Sequence, residues 1–201
     1  MFIIFMDDGY DEPYLDFFRS YPKNDDPLKI PLSDGDIKRF LPNVKIIKYN
    51  ELDKYNSIQE LLPNKYDYVV LLTELKHNVG HWLALLRDDK TIIFFDSYGY
   101  RPDKHLLWAP KQLRKSLGQD EPHLSYLLNH ALDSGFKVVF DGTAYQNRND
   151  KSIMTCGRHV VNRIRAFIDG YRSPEQYKKY FNAMKKRYNA NGDDLVVRLV
   201  R

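Results

Sequence analysis

The sequence predicts an α+β domain. Residues 66–73, 81–87 and 91–96 are consecutive apolar, β-prone runs parted by turn residues, the longer amphipathic patterns gather after residue 104, and the single cysteine heads one of them. Strands adjacent in the chain pair antiparallel and helices segregated elsewhere cover the sheet, which is the α+β arrangement.

The elements follow in chain order. Met1-Phe2-Ile3-Ile4-Phe5-Met6 is apolar but short, has no basic leader and runs straight into Asp7-Asp8. It reads as a buried first strand, not a signal peptide. Residues 11–31 are rich in Asp, Pro and aromatics and read as an irregular packed segment. Ser33 is placed to cap a short helix over residues 37–41, which Pro42 closes. A strand is predicted at 44–49, a short helix at 58–62 and a buried central strand at 66–73. Strands at 81–87 and 91–96 are joined by Asp88-Asp89-Lys90. Then come helices at 105–117 and 124–133, a strand at 136–140, helices at 156–169 and 174–188, and a last strand at 195–200.

With 201 residues the chain suits one domain, 1–201, long enough to bury a core. Hydrophobic residues make up 43% and aromatics 14%, which argues against disorder. No apolar run approaches the ~18 residues that span a bilayer, so no membrane role is expected. One cysteine cannot form an internal disulfide, which points to a reducing compartment, the cytosol or a particle assembled there. The net charge of +4 says less than its distribution: Lys178, Lys179, Lys185, Lys186 and Arg187 fall within ten residues. Such a run is either a solvated helix face or a patch that contacts nucleic-acid phosphates.

Cys156, in Thr155-Cys156-Gly157, heads a predicted helix. A helix N-terminus offers unpaired N–H groups and a positive dipole end, both of which favour a thiolate over a thiol. Upstream lie His81 in Gly80-His81-Trp82, Asp96 in Phe95-Asp96-Ser97, and Gln146, ten residues before the cysteine. His81 can take the thiol proton and return it to a leaving amine. Asp96 can hold the imidazole and stabilise its charged form. Gln146 can donate its side-chain N–H to an oxyanion beside the backbone N–H of Cys156, and one such donor is worth roughly 3 kcal/mol. A two- or four-residue hairpin loop, pairing Arg87 with Lys90 or Leu86 with Thr91, sets His81 directly opposite Asp96; a three-residue loop sets it opposite Ser97. Taken singly each residue has an ordinary role: a packed cysteine, a half-buried strand histidine, an aspartate opening a turn, a loop glutamine. Only the joint pattern points to nucleophilic catalysis. His77 and His81 are four apart, but Gly80 disfavours helix and no carboxylate lies between them, so no metal or cofactor is expected. His105, His123, His130 and His159 read as structural or surface residues.

Gly80-His81-Trp82-Leu83-Ala84, Ile93-Phe94-Phe95-Asp96-Ser97-Tyr98-Gly99-Tyr100, Tyr145-Gln146 and Thr155-Cys156-Gly157, in that order, resemble the adenain-like cysteine proteases. That group includes the adenovirus maturation protease and relatives in virophages, polinton-type elements and large DNA viruses; its clan also holds the SUMO-deconjugating proteases. The resemblance covers about residues 66–168, with a weaker echo in Leu32-Ser33-Asp34-Gly35-Asp36-Ile37. It implies a mixed central β-sheet flanked by helices, with the cysteine helix packed on the sheet that carries His81 and Asp96. It also implies cleavage of viral capsid and other precursor polypeptides after Gly or another small residue, in the host cytoplasm, viral factory or virion. Two departures stand out: no second cysteine is present for a disulfide-linked activating peptide, and the acid is Asp where the adenovirus enzyme has Glu. Activation by DNA through residues 178–187 remains open. The competing readings are a deconjugating protease acting on ubiquitin-like or SUMO C-termini, an acyltransferase with a similar His-acid-Cys set, and a non-enzymatic binding module.

Overall fold

The computed structural model describes residues 26–201. Five strands form one sheet in the order β1-β2-β3-β4-β5. These are β1 (Lys45–Lys48), β2 (Tyr66–Lys76), β3 (Val79–Asp88), β4 (Thr91–Asp96) and β5 (Lys137–Phe140). β2, β3 and β4 form an antiparallel meander, while β1 runs parallel to β2 and β5 parallel to β4. The α+β expectation with a mixed, helix-flanked sheet is met at that level.

The helices are α1 (Asp34–Phe40), α2 (Ile58–Leu61), α3 (Lys111–Ser116), α4 (His123–Asp133), α5 (Cys156–Ile168), α6 (Pro174–Tyr188) and α7 (Gly192–Leu199). α1 starts where Ser33 Oγ accepts the Asp36 N–H at 3.1 Å and the Asp36 carboxylate accepts the Ser33 N–H at 3.0 Å. Ser173 and Gln176 make the same reciprocal cap on α6, with Pro174 at the first helical position. Among the described residues no helix is long and apolar enough to cross a membrane.

Both faces of the sheet are covered. On β3, Trp82, Ala84 and Leu86 join a core with Val160, Val161 and Ile164 of α5. Leu83 and Leu85 join a second core with Leu124, Leu127 and Leu128 of α4. Burial on both faces explains why β2 and β3 read as almost unbroken apolar runs rather than alternating ones. Val160, Val161 and Ile164 are fully buried, and each such side chain is worth about 1.5–3 kcal/mol. Thr155 makes no side-chain cap on α5, so packing, more than capping, anchors the cysteine helix.

Three expectations are corrected. The helix expected over 105–117 is a 3-10 turn, Lys104–Trp108, followed by the separate α3. Pro110 has no N–H and forces Ala109 into an extended conformation (φ −103°, ψ 140°), which breaks the helix. The strand expected at 195–200 is helical α7, because the Asn191 side chain accepts the Asp194 N–H and Leu195 and Val196 turn into the core. The hairpin closes one residue later than expected, with Asp88 paired to Thr91 and Leu83, not His81, opposite Asp96. Asp89 adopts a left-handed conformation (φ 55°), which Asp tolerates and which places the two-residue turn at Asp89-Lys90. The strand expected at Met1–Met6, and residues 11–25 of the irregular segment, lie outside the described residues. Of that segment, Pro27–Lys29 forms a 3-10 turn.

Candidate active site

β3 begins with a tight approach to β2. A side chain on Gly80 would put its Cβ 1.8 Å from the Thr73 carbonyl oxygen, so only glycine fits there. β4 ends at Asp96, opposite Leu83, and β3 continues to Val79 with no β4 partner. Register extrapolated past Asp96 sets His81 across from Tyr98, and their rings stack at 5.1 Å. Asp96 is then the diagonal neighbour of His81. A two-residue offset preserves the sheet face, so the histidine still reaches the carboxylate.

His81 Nε2 lies 2.7 Å from Asp96 Oδ1. Asp96 also accepts the Tyr98 N–H on Oδ1 at 3.0 Å and the Tyr100 N–H on Oδ2 at 3.1 Å. One carboxylate therefore both opens the turn and orients the imidazole. Trp108 sets its edge against the same ring at 5.2 Å, and the His105 ring lies 5.7 Å away. By strand alternation His81 and Asp96 belong to the α4 face of the sheet, and Cys156 belongs to the α5 face. They meet beyond the end of β4, where no strand separates the two faces.

Cys156 is the first residue of α5 and is 8% exposed, on the wall of a cavity of about 670 Å³ that His81, Trp82, Gln146 and Tyr98 also line. The His81 ring and the backbone N–H groups of Trp82 and Gly157 are near enough to the thiol to favour its anion. Because Asp96 occupies Nε2, the ring nitrogen left for the thiol is Nδ1. Burial pushes the thiol pKa up, but the His81 hydrogen bond and positive charge, with the two N–H groups, bring it below its ordinary value. Burial would likewise strip His81 of its proton; the Asp96 carboxylate outweighs that, and with Cys156 raises the ring to about 10. Burial also opposes ionisation of Asp96, and His81 overcomes it, so the carboxyl is held below its usual range. Both shifts act in the same direction, favouring a thiolate–imidazolium pair over the neutral pair, as a cysteine nucleophile with a histidine base would require.

Gln146 sits beside this pair on a loop tied to the end of β4. The Ser97 carbonyl accepts the N–H groups of Tyr145 and Gln146 at 2.9 and 3.0 Å, and Ser97 Oγ donates to Gln146 Oε1 at 2.8 Å. Gln146 Nε2 donates to Tyr98 Oη at 3.1 Å and to the Ile153 carbonyl at 3.0 Å. Its amide is thus fixed with the nitrogen on the cavity side, and service to an oxyanion requires one of these two bonds to give way.

No protein-family profile and no solved structure matches the chain. It is 39% identical over 172 residues, 84% of this chain and 93% of its relative, to "Uncharacterized protein V9" of Sputnik virophage. The chain belongs to the family of this virophage protein.

In this V9-family chain the four residues singled out from sequence lie together at one end of the sheet, through contacts linking His81 to Asp96 and Cys156, and Ser97 to Gln146. Trp82, which from sequence could be either a groove wall or plain core, lines the cavity and donates its indole N–H to the Leu32 carbonyl at 2.9 Å. His105 is buried beside His81 without a hydrogen-bond partner for either ring nitrogen, and burial lowers its pKa to about 3, so it stays neutral. Asp193, in the first turn of α7, is a residue to which the sequence alone assigns no role. A second buried pair stands there, His159 Nε2 to Asp193 Oδ1 at 3.1 Å. The missed signal was Asn191-Gly192-Asp193-Asp194, a helix start with an N-cap residue and acids in the first turn.

Proposed function

We propose that this protein is a cysteine endopeptidase of the adenain-like type, which cleaves viral capsid and other precursor polypeptides after Gly or another small residue during virion maturation. The observation that carries the proposal is the thiol of Cys156 at a helix N-terminus, on one cavity wall with a histidine whose Nε2 is held at 2.7 Å by a buried aspartate. The cavity beside it has room for an extended peptide segment. Kinship with a virophage protein supports the viral half of the reading. Its setting would be the host cytoplasm, the viral factory and the virion.

In the proposed cycle the Cys156 thiolate attacks the scissile carbonyl carbon, and the electron pair of the C=O bond moves onto oxygen. The backbone N–H of Cys156, with Gln146 Nε2 turned from one of its present acceptors, receives that oxyanion. The oxyanion collapses, the C–N bond breaks, and imidazolium His81 gives its proton from Nδ1 to the departing amine. Water then adds to the thioester with neutral His81 as base, releasing the carboxylic acid and restoring the thiolate–imidazolium pair. Asp96 stays ionised throughout and keeps the ring oriented.

The test is incubation of wild type and Cys156→Ala with a mixed peptide library, with new termini mapped by mass spectrometry. Cleavage after Gly or another small residue by wild type alone is the expected result. Cleavage by both proteins would remove Cys156 from the chemistry. An inert wild type that nonetheless releases a ubiquitin-like protein from a conjugate would reassign the enzyme to deconjugation, and labelling of Cys156 by an acetyl donor would reassign it to acyl transfer.

A further inference from the structure

Asp193, in the first turn of α7, is 4% exposed, and its carboxylate collects three donors, two from the N-terminal end of α5 and one from the Gln146 loop. Thr155 Oγ1 donates to Oδ1, and His159 Nε2 lies 3.1 Å from the same oxygen. The Asn147 backbone N–H donates to Oδ2 at 3.0 Å. Two of these neighbours are placed meaningfully: Thr155 immediately precedes the nucleophile, and Asn147 immediately follows Gln146. A separate contact reinforces the second link. Gly192 packs so closely on the Tyr145 carbonyl that a Cβ there would lie 2.2 Å from the oxygen. Gln146 is therefore bracketed, Tyr145 against Gly192 on one side and Asn147 held by Asp193 on the other.

We infer that Asp193 is a positioning residue of the active site, one carboxylate that fixes the N-terminal turn of the cysteine helix relative to the loop presenting Gln146. This inference rests on the peptidase reading for the role of Gln146, and on the fold alone for the placement of Cys156. The carboxylate suits the task. Burial opposes its charge, but His159 and Thr155 outweigh that and hold it ionised, able to accept from all three donors at once. An amide in its place presents one oxygen and one N–H₂ group, so one or more of those donors loses its acceptor.

The experiment compares wild type, Asp193→Asn and Thr155→Val in three readouts: the pH dependence of Cys156 alkylation by iodoacetamide, kcat and KM for a peptide cleaved by wild type, and thermal melting. For Asp193→Asn, alkylation near pH 6 is expected to slow several-fold as the thiolate loses its alignment with His81. Its kcat is expected to fall about tenfold with KM within about twofold, the mark of a misplaced catalytic group. Thr155→Val, which removes one of the three bonds, should fall between the two. If the folded Asp193→Asn protein alkylates with the wild-type pH profile and keeps its kcat, Asp193 is scaffold only and the inference is overturned, whatever the melting temperature does. Should Asp193→Asn fail to fold, Thr155→Val decides: a wild-type alkylation profile there also overturns it. Shifted alkylation in a chain that cleaves no peptide would sustain the placement of Cys156 and sink the peptidase reading instead.

Discussion

At the scale of single residues, Asp96 decides the charge state of the site. His81 and Asp96 are both buried, and burial alone would leave the imidazole neutral. Instead the ring is raised to about 10 and the thiol is lowered, which opens a pH window in which thiolate and imidazolium coexist. The sign follows from the two shifts. Below the lowered thiol pKa the pair is lost by protonation of Cys156, and above the raised imidazole pKa it is lost by deprotonation of His81. Cleavage should therefore rise with pH through the first and fall through the second. In Asp96→Asn the charge that offsets burial is gone, so the alkaline limb should move to lower pH and kcat should drop by about a hundredfold or more. A pH–rate profile whose alkaline limb matches wild type would show that something other than Asp96 keeps His81 charged. The identities of these residues were legible in the sequence because the chemistry demands those side chains. Their geometry was legible only to parity. The hairpin slid by two residues, a shift that keeps every side chain on its face, and so the wrong register still brought the right partners together.

At the scale of elements, the site depends on two glycines that set distances between backbones. Gly157 lets the first turn of α5 sit against Leu32 and Trp82, since a Cβ there would lie 3.0 Å from Leu32 Cβ and 3.1 Å from Trp82 Cδ1. Gly80 is stricter, because the obstruction is the Thr73 carbonyl and not a movable side chain. Gly80→Ala should force β3 away from β2 next to the bulge between Glu74 and Lys76. The expected cost is at least the ~1–3 kcal/mol of ordinary overpacking, read as a lowered urea midpoint, with His81 displaced and activity lost. An unchanged midpoint would mean the strands can separate locally at no cost. Elements were legible where a single signal dominated: the apolar runs of β2 and β3, the serine caps of α1 and α6, the cysteine helix. Two were not, because their signals conflict. Within 105–117 Pro110 interrupts an otherwise helix-prone stretch, and the proline wins in the chain. At the C-terminus Leu195-Val196-Val197-Arg198-Leu199-Val200 is too short and too β-branched for its period to be told from a strand, and the deciding signal was the cap before it.

At the scale of the whole molecule, the sheet separates two cores, and the candidate site lies beyond the end of β4, where they meet. The helices that back the cysteine helix leave a charged outer surface. α6 turns Tyr177 and Phe181 inward, while Lys178, Lys179, Lys186 and Arg187 are exposed on it and Lys185 is partly covered. The two sequence readings of residues 178–187 thus share one geometry: the residues are solvated, and they are also free to meet phosphates. Charge replacement separates them. Changing Lys178, Lys179, Lys186 and Arg187 to Gln removes no buried contact, so the thermal midpoint should stay within what surface substitutions of about ±0.5 kcal/mol each produce. If the helix contacts DNA, the variant should bind a labelled duplex more weakly. The slope of log Kd against log salt should also flatten by roughly 0.9 for each lost phosphate contact. Fluorescence anisotropy across a salt series measures both quantities at once. A slope equal to that of wild type would leave α6 as a solvated face, and any effect of DNA on cleavage would then have to enter through another surface.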